Sequence, residues 1–564
     1  MVTALVEQNV PARMRDGVTL YANVYRPAEP GRYPVLLCRS PYGKDGPPPI
    51  NLFQAIAAGY VMVIQDCRGT GASEGVFDWF SQLAQEGLDG YDTVEWAAGL
   101  PYADGAVGMI GGSYVGWTQH AAAMQHPPHL RAIAPMVTWV DAADGLCYRG
   151  GAFELGTDLS WHLGMSVDVV RRKLTAAGAS AQEIATAVGS VTAAIDSLSK
   201  DGYAETPLRD LQSLRPADLA GIVRNLLDLG PGHLAPEWSV SLAAIDAPAL
   251  YIGGWYDIFS QATLNSFVGL RSRGLPAQLL IGPWTHGNQT STIGEMDFGL
   301  ASSLMAMNPD ALQLRWFDRW LKGIDNGVDR EPPARVFLTG ENRWLELPGW
   351  PPAGVQQMAL YLQPGGGLGP SAPAAGAGAS SYIYDPSHPT PTLGGATLMP
   401  GVFPPGVRDQ RPLSARPDVL TFAGEPLAGP LAIMGHVTAE LWISSSAPDT
   451  DFVARLIDVH PDGYMENLCD GILRARYRES LQEPKWLEPG AAYELNIDLW
   501  STAHTFKAGH RVAVQVSSAS FPRWDRNWNT KEDPSAATAG QKAQQMIWHD
   551  AERASRIVLP VSHT

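Results

Sequence analysis

The chain predicts an α/β domain with a mostly parallel sheet, interrupted by a helical insertion and followed by a β-sandwich or jelly roll. Three observations predict it. Over the first 140 or so residues, continuous apolar strands alternate with helical stretches, the pattern of a parallel sheet buried on both faces. Between about 145 and 240 the apolar period becomes helical. From about 350 onward helices nearly vanish, and short alternating runs are separated by Pro/Gly turns, as in a sandwich or jelly roll. At 564 residues the chain is too long for one core. The expected division is 1–144 and 241–350 for the two parts of the α/β domain, 145–240 for the cap and 351–564 for the jelly roll.

Taken in order, "VTLYANVYRP" (18–27), "YPVLLCRSPY" (33–42) and "YVMVIQDCRGTG" (60–71) read as strands. A helix follows around Asp89–Ala98, then the strand "VGMIGG" (107–112), a helix after Ser113 and the strand "LRAIAPMVT" (130–138). The cap carries helical periods in "VDVVRRKLTAAG", "SAQEIATAVGSVTAAIDSLS" and "PLRDLQSLRPADLAGIVRNLLDLG". Strands resume in "APALYIGGWYD" (247–257) and "AQLLIGPWTHG" (277–287), before the helix "PDALQLRWFDRWLKG" (309–323). In the last third, "PGGGLGPSAPAAGAGASS" (364–381) is of low complexity and is expected to be an exposed mobile loop.

Composition excludes several functions. A formal charge of −17 with no basic cluster argues against nucleic-acid or anionic-membrane partners. Cys38, Cys67, Cys147 and Cys469 are scattered without C-x-x-C spacing, so neither a zinc site nor a redox pair is expected. No metal and no cofactor are called for. The first residues lack an apolar signal core, and no run approaches about 18 uninterrupted apolar residues, so a soluble cytoplasmic protein is expected. Its expected partner is a small-molecule ester, and a homodimer is left open.

The chemistry centres on "GMIGGSYVGWTQ" (108–119). A serine becomes nucleophilic at neutral pH only beside a base that a carboxylate orients. In α/β-hydrolases the three follow in the order Ser, Asp/Glu, His, each on a loop after a strand. Ser113 follows the strand 107–112, Asp257 ends "YIGGWYD", and His286 ends "LLIGPWTH". Singly, each has an ordinary reading: a turn serine, a helix-capping aspartate, a satisfied histidine. Together, in this order and placement, they read as a triad. His120 and His126, on the helix after Ser113, point away from its N-terminus. The Tyr114 backbone N–H is one oxyanion donor by geometry. Pro41 removes a backbone donor from "CRSPYGKDG", leaving the Tyr42 phenol as the second candidate. Asp66 and Arg68 in "QDCRGTGASEG" read as locally bonded loop residues. One departure stands out: the elbow pattern is G-x-S-x-G, whereas here the second glycine, Gly116, comes one position late.

"RSPYGK", "VIQDCRGTGASEG", "DGAVGMIGGSYVGWTQ", "GGWYDIF", "GPWTHGN", "SSSAPDTDFVARLIDVHPDG" and "GHRVAVQVSSASFPRWDRNWNT" resemble the bacterial cocaine esterase and X-Pro dipeptidyl-peptidase group of serine hydrolases. The resemblance runs through nearly the whole chain, and G-x-S-Y-x-G is that group's own elbow. It implies an α/β-hydrolase domain, a helical cap and a C-terminal jelly roll. It also implies Ser113 as nucleophile, His286 as base, Asp257 as its orienter, and Tyr42 with the Tyr114 amide as oxyanion donors. Phe259, Trp161 and Tyr148 are candidates for the acyl pocket. Where the esterase branch has an aromatic pocket residue, "GLCYRGG" places Cys147. The expected activity is hydrolysis of carboxylic esters of small to medium substrates through an acyl-enzyme. An acylase or aminopeptidase of the same group is the alternative, and it requires an ammonium-binding carboxylate that the sequence does not single out. A non-catalytic binding protein is the reading from another class, and the triad opposes it.

Overall fold

The computed structural model describes residues 3–77, 79–211, 226–234, 236–399 and 401–563. Ten strands form the first sheet: β1 (Ala4–Arg13), β2 (Thr19–Pro27), β3 (Tyr33–Ser40), β4 (Val61–Asp66), β5 (Ala103–Gly112), β6 (Leu130–Met136), β7 (Ala249–Tyr256), β8 (Ala277–Thr285), β9 (Ala334–Leu338) and β10 (Arg343–Leu347). Their spatial order is β1-β2-β4-β3-β5-β6-β7-β8-β9-β10. The seven strands from β4 to β9 in that order pair in parallel, and β1, β2 and β10 add antiparallel edges. Every residue of β4 and of β7 is buried, which explains their unbroken apolar sequences. The alternation read from the sequence does not single out β1. That strand carries Glu7, Gln8 and Arg13 on a half-exposed edge, so its apolar signal is diluted.

Six helices matter for the site. α1 (Leu52–Ala57), α2 (Trp79–Ala98) and α3 (Tyr114–Ala123) belong to the first part of this domain. The insertion supplies α4 (Leu155–Ala176) and α5 (Ala181–Ser197), the latter opened by a Ser180–Glu183 capping box. After it, α6 (Ser260–Ser272) follows β7. The helical period read over 207–230 falls mainly on 212–225, outside the described residues. Among the described residues, no helix is long and apolar enough to cross a membrane.

The last third is an eleven-stranded β structure. Its 15-residue strand Leu431–Ser445 pairs along its length with Tyr493–Phe506 and, on its other edge, with Arg556–Val561 and Ala543–Trp548. Leu441, Ile443, Phe452, Leu495 and Val514 fill the core between the layers. The segment 364–381 is more ordered than its composition suggests. Gly367–Gly369 turns back to pair with the strand before it, and Ala379–Tyr384 joins the sheet edge.

The two sheets meet at a polar junction. Thr339, just after β9, exchanges backbone hydrogen bonds with Ala503 and Thr505, and its hydroxyl lies 2.8 Å from His504 Nδ1. The other ring nitrogen of His504 is 3.1 Å from the buried Asp458 carboxylate, which also lies 2.9 Å from His510 Nδ1. His460 Nε2 adjoins Glu466 Oε2 at 3.1 Å. No metal cluster is legible in the sequence, yet folding brings Asp458, His460 and His510 within 4.8 Å of one another. Hydrogen bonds already engage all three, so we read the group as an ion-pair network.

The hydrogen bond from His460 to Glu466 raises the histidine above its ordinary value of 6.5. Folding therefore gains from its protonation, fully at pH below about 6.5, and loses that gain as pH rises through the elevated folded value. Thermal midpoints across pH 5.5–9 check this: His460→Gln should be most destabilised, relative to the parent, at the acid end, with the gap closing as pH rises.

Candidate active site

Ser113 sits at the sharp turn between β5 and α3, with φ 59° and ψ −128°. A non-glycine residue rarely holds positive φ, and here the packing around it enforces the turn. The Ser113 N–H donates to Met136 O on β6 at 2.9 Å, and its carbonyl accepts from Gly116 and Trp117. α3 then runs tight over β6. A Cβ on Gly116 would lie 2.8 Å from Thr138 Cβ and 3.1 Å from Met136 O; one on Gly111 would lie 2.2 Å from Val115 Cγ1. The late glycine is thus the crossing point of helix and strand.

Asp257 follows β7, and His286 follows β8, the neighbouring parallel strand. His286 Nδ1 is 2.8 Å from Asp257 Oδ1, and Nε2 is 3.0 Å from Ser113 Oγ. Asp257 is fully buried and His286 nearly so, at 12% side-chain exposure, which shields the pair from water. Asp257 does not cap α6, whose N-cap is Phe259 with no side-chain cap bond. Instead, Phe259 packs edge-on against the His286 ring at 5.5 Å. His120 is buried away from this group against Tyr251, and burial lowers it to about 3, so it stays neutral. His126 lies beyond the end of α3 beside Asp246.

Tyr42 is carried by the loop after β3. Its N–H donates to Ser40 Oγ. The next turn is pinned by Asp66, which accepts from the Lys44 amide at 2.5 Å and pairs with Lys44 Nζ at 3.2 Å. Arg68 reaches further than the loop itself: it holds Asp89 on α2 with two bonds and Asp16 with a third. The Tyr42 ring is half exposed, but its hydroxyl accepts from Trp161 Nε1 at 3.1 Å. Burial raises the phenol above its usual value, opposed by its hydrogen bonds with Trp161 and Ser113. It therefore remains a donor at neutral pH.

Tyr42, Ser113 and the first residue of α3, Tyr114, share one pocket with Phe259 and Trp161, with about 30 Å³ of space. Its wall is aromatic and continuous. Trp161 stacks on Tyr114 at 6.2 Å, Tyr114 meets Trp139 at 6.0 Å, and Trp139 meets Phe259 at 5.7 Å. The Tyr114 phenol donates to Glu86, which pairs with buried Arg39 beneath the site.

Tyr148 is placed elsewhere. Its hydroxyl donates to Leu226 O, its ring packs on Phe153, and it does not line the pocket. Cys147 is likewise buried behind the wall, and its neighbour Leu146 faces the pocket instead. The tight turn at Ala142–Leu146 decides which residue of "GLCYRGG" points inward. The sequence reading also missed Trp139, Thr157, Asp158 and Leu398. Thr157, Asp158 and Trp161 lie at helical spacing on α4, a signal that becomes readable only once the helix is known to face Ser113. Leu398 comes from the β domain. Its neighbour Met399 approaches α4 where a Cβ on Gly156 would lie 2.3 Å from Met399 Sδ.

The X-Pro dipeptidyl-peptidase (S15 family) sequence model matches residues 16–288, and the model of that enzyme's C-terminal non-catalytic domain matches 326–558. The chain is 36% identical to cocaine esterase of Rhodococcus sp., over 99% of this chain and 98% of the relative. The chain belongs to the S15 family. Among solved structures, it superposes on an aminopeptidase from a marine-sediment Thaumarchaeota archaeon with a TM-score of 0.80 at 27% identity, covering 99% of this chain and 96% of the other. For an α-amino acid ester hydrolase the TM-score is 0.77, also at 27% identity, covering 99% and 97%. The fold is therefore an α/β-hydrolase domain followed by the family's β jelly roll.

The elbow geometry makes a direct prediction. Gly116→Ala should cost about 1–3 kcal/mol of stability by overpacking and should lower turnover by displacing Ser113. Replacing Thr138 by Gly in the same chain should recover part of both. Urea denaturation and ester turnover of the single and double variants check it.

Proposed function

We propose that this protein is a serine carboxylic-ester hydrolase that works through an acyl-enzyme on small to medium esters. The observation that carries the reading is the continuous relay from Asp257 through His286 to Ser113, at 2.8 and 3.0 Å, opening on an aromatic pocket. Sequence identity of 36% over the full length of an esterase supports it.

In this reading, His286 Nε2 takes the proton of Ser113 as its Oγ attacks the ester carbonyl. Asp257 holds the ring by its Nδ1–H and stabilises the imidazolium that forms. The Tyr42 hydroxyl and the Tyr114 backbone N–H donate to the oxygen as it becomes negative. His286 then protonates the departing alkoxide, and the alcohol leaves. Water enters, gives a proton to His286 and releases the acid from Ser113 by the same steps in reverse. The division at 1–144, 145–240, 241–350 and 351–564 follows as a proposal, with the cap helices and the β domain both reaching the pocket.

Ser113→Ala should abolish nearly all turnover of a p-nitrophenyl ester. Tyr42→Phe should lower kcat by roughly 10²–10³ while KM moves little, because the phenol acts most strongly on the oxyanion. A merely packed hydroxyl would change stability by about 1 kcal/mol and leave kcat near that of the parent. Parallel kcat, KM and thermal-midpoint measurements separate the two.

A further inference from the structure

Tyr42 and Trp161 reach the pocket from different parts of the chain, and one hydrogen bond joins them. The indole N–H of Trp161, on α4, donates to the Tyr42 hydroxyl oxygen at 3.1 Å. Three rings hold the indole in place. Tyr114 stacks on it at 6.2 Å with 10° between the planes, Phe77 lies 6.5 Å away, and His162 stands edge-on at 5.2 Å. Tyr42 has less support of its own. It is 51% exposed, and its loop is pinned through the backbone and Lys44 rather than at the phenol.

The neighbours of the phenol decide where its proton goes. An indole N–H only donates, whereas a phenol has one O–H to give and an oxygen that accepts. Against Trp161 the Tyr42 oxygen must accept, so its own proton leaves on another side. The other side-chain hydrogen bond of the phenol is with Ser113. With Nδ1 donating to Asp257, His286 Nε2 accepts the Ser113 proton at 3.0 Å. Toward Tyr42, Ser113 Oγ can then only accept. The Tyr42 proton therefore sits on the Ser113 side, where an attacked carbonyl oxygen becomes negative. We propose that Trp161 is a positioning residue for the oxyanion hole: its N–H holds the Tyr42 hydroxyl with the proton turned to Ser113, so that α4 completes the site for the chemical step. This rests on the reading of Tyr42 as an oxyanion donor given above. Burial raises the phenol, and the Trp161 bond works against that rise. A hydroxyl polarised in this way donates more strongly to a developing negative charge.

A double-mutant cycle tests it: Trp161→Phe, which keeps a ring and loses the N–H, is measured beside Tyr42→Phe and the double variant. The quantity read is kcat/KM for p-nitrophenyl acetate, which follows the acylation transition state and whose acetyl group brings no ring to the indole. In the parent background Trp161→Phe should lower it about three- to tenfold, the net worth of one neutral hydrogen bond. In the Tyr42→Phe background the same substitution should change it less than about twofold, because no hydroxyl is left to orient. A second variant guards against lost packing. Benzothienylalanine at position 161 keeps the bicyclic shape, replaces the N–H with sulfur, and should reproduce the Phe result. Equal losses in both backgrounds would leave Trp161 as a wall residue and overturn the proposal. A parent-like rate in the benzothienyl variant would overturn it as well. Neither outcome touches the oxyanion role of Tyr42, which Tyr42→Phe reports alone. A parent-like rate in Tyr42→Phe would remove that role and this proposal with it.

Discussion

The turn at Ser113 is the constraint on which the rest depends. A serine at φ 59° is strained, and it persists only because α3 is pressed over β5 and β6 with no room to relax. That pressure requires glycine at 111 and 116, where a side chain would collide with Val115 or Thr138. Once the turn is fixed, the parallel order of the sheet does the remaining work. β3, β5, β7 and β8 all run the same way, so the loops bearing Tyr42, Ser113, Asp257 and His286 emerge at one edge. The buried Arg39–Glu86 pair and the Lys44–Asp66 pair then stiffen the floor and the Tyr42 loop.

The β domain contributes more than mass. Its segment Ser520–Arg526 grips the start of α4: Gly156 N–H donates to Arg523 O, Phe153 N–H to the Asp525 carboxylate, and Trp524 Nε1 to Glu154. Asp525 is held in turn by Arg474, which also pairs with Asp451. The wall carrying Thr157, Asp158 and Trp161 is therefore set from outside the α/β domain, and Leu398 closes it from the same side. The pocket wall is built where the α/β domain, the helical insertion and the β domain meet, whereas Ser113, His286 and Asp257 all lie on loops of the α/β domain.

That difference explains what the sequence could reveal. Ser113, Asp257 and His286 were legible because chemistry demands their order and the sheet demands their place after strands. Tyr42 was legible through Pro41, which lacks an N–H. The pocket wall was not. Nothing local distinguishes Leu146 from Cys147, or Asp158 from the other acids of the helical insertion; their facing depends on how α4 docks against the Ser520–Arg526 segment. Tyr148 shows the same limit from the other side, since an aromatic residue near the cap hinge turned outward to bond Leu226. Edge strands such as β1, diluted by surface charge, escape a reading based on apolar runs.

The central claim is a covalent one: the acyl group passes through an ester on Ser113 Oγ. Rapid-quench mixing with a slowly deacylating aromatic ester, followed by intact-mass and peptide mass spectrometry, tests it most directly. The account predicts a transient mass increase equal to one acyl group, mapped to the peptide containing Ser113 and absent when Asp257 is replaced by alanine. An acyl group found on another residue, or steady turnover with no adduct under conditions where deacylation limits the rate, would contradict it.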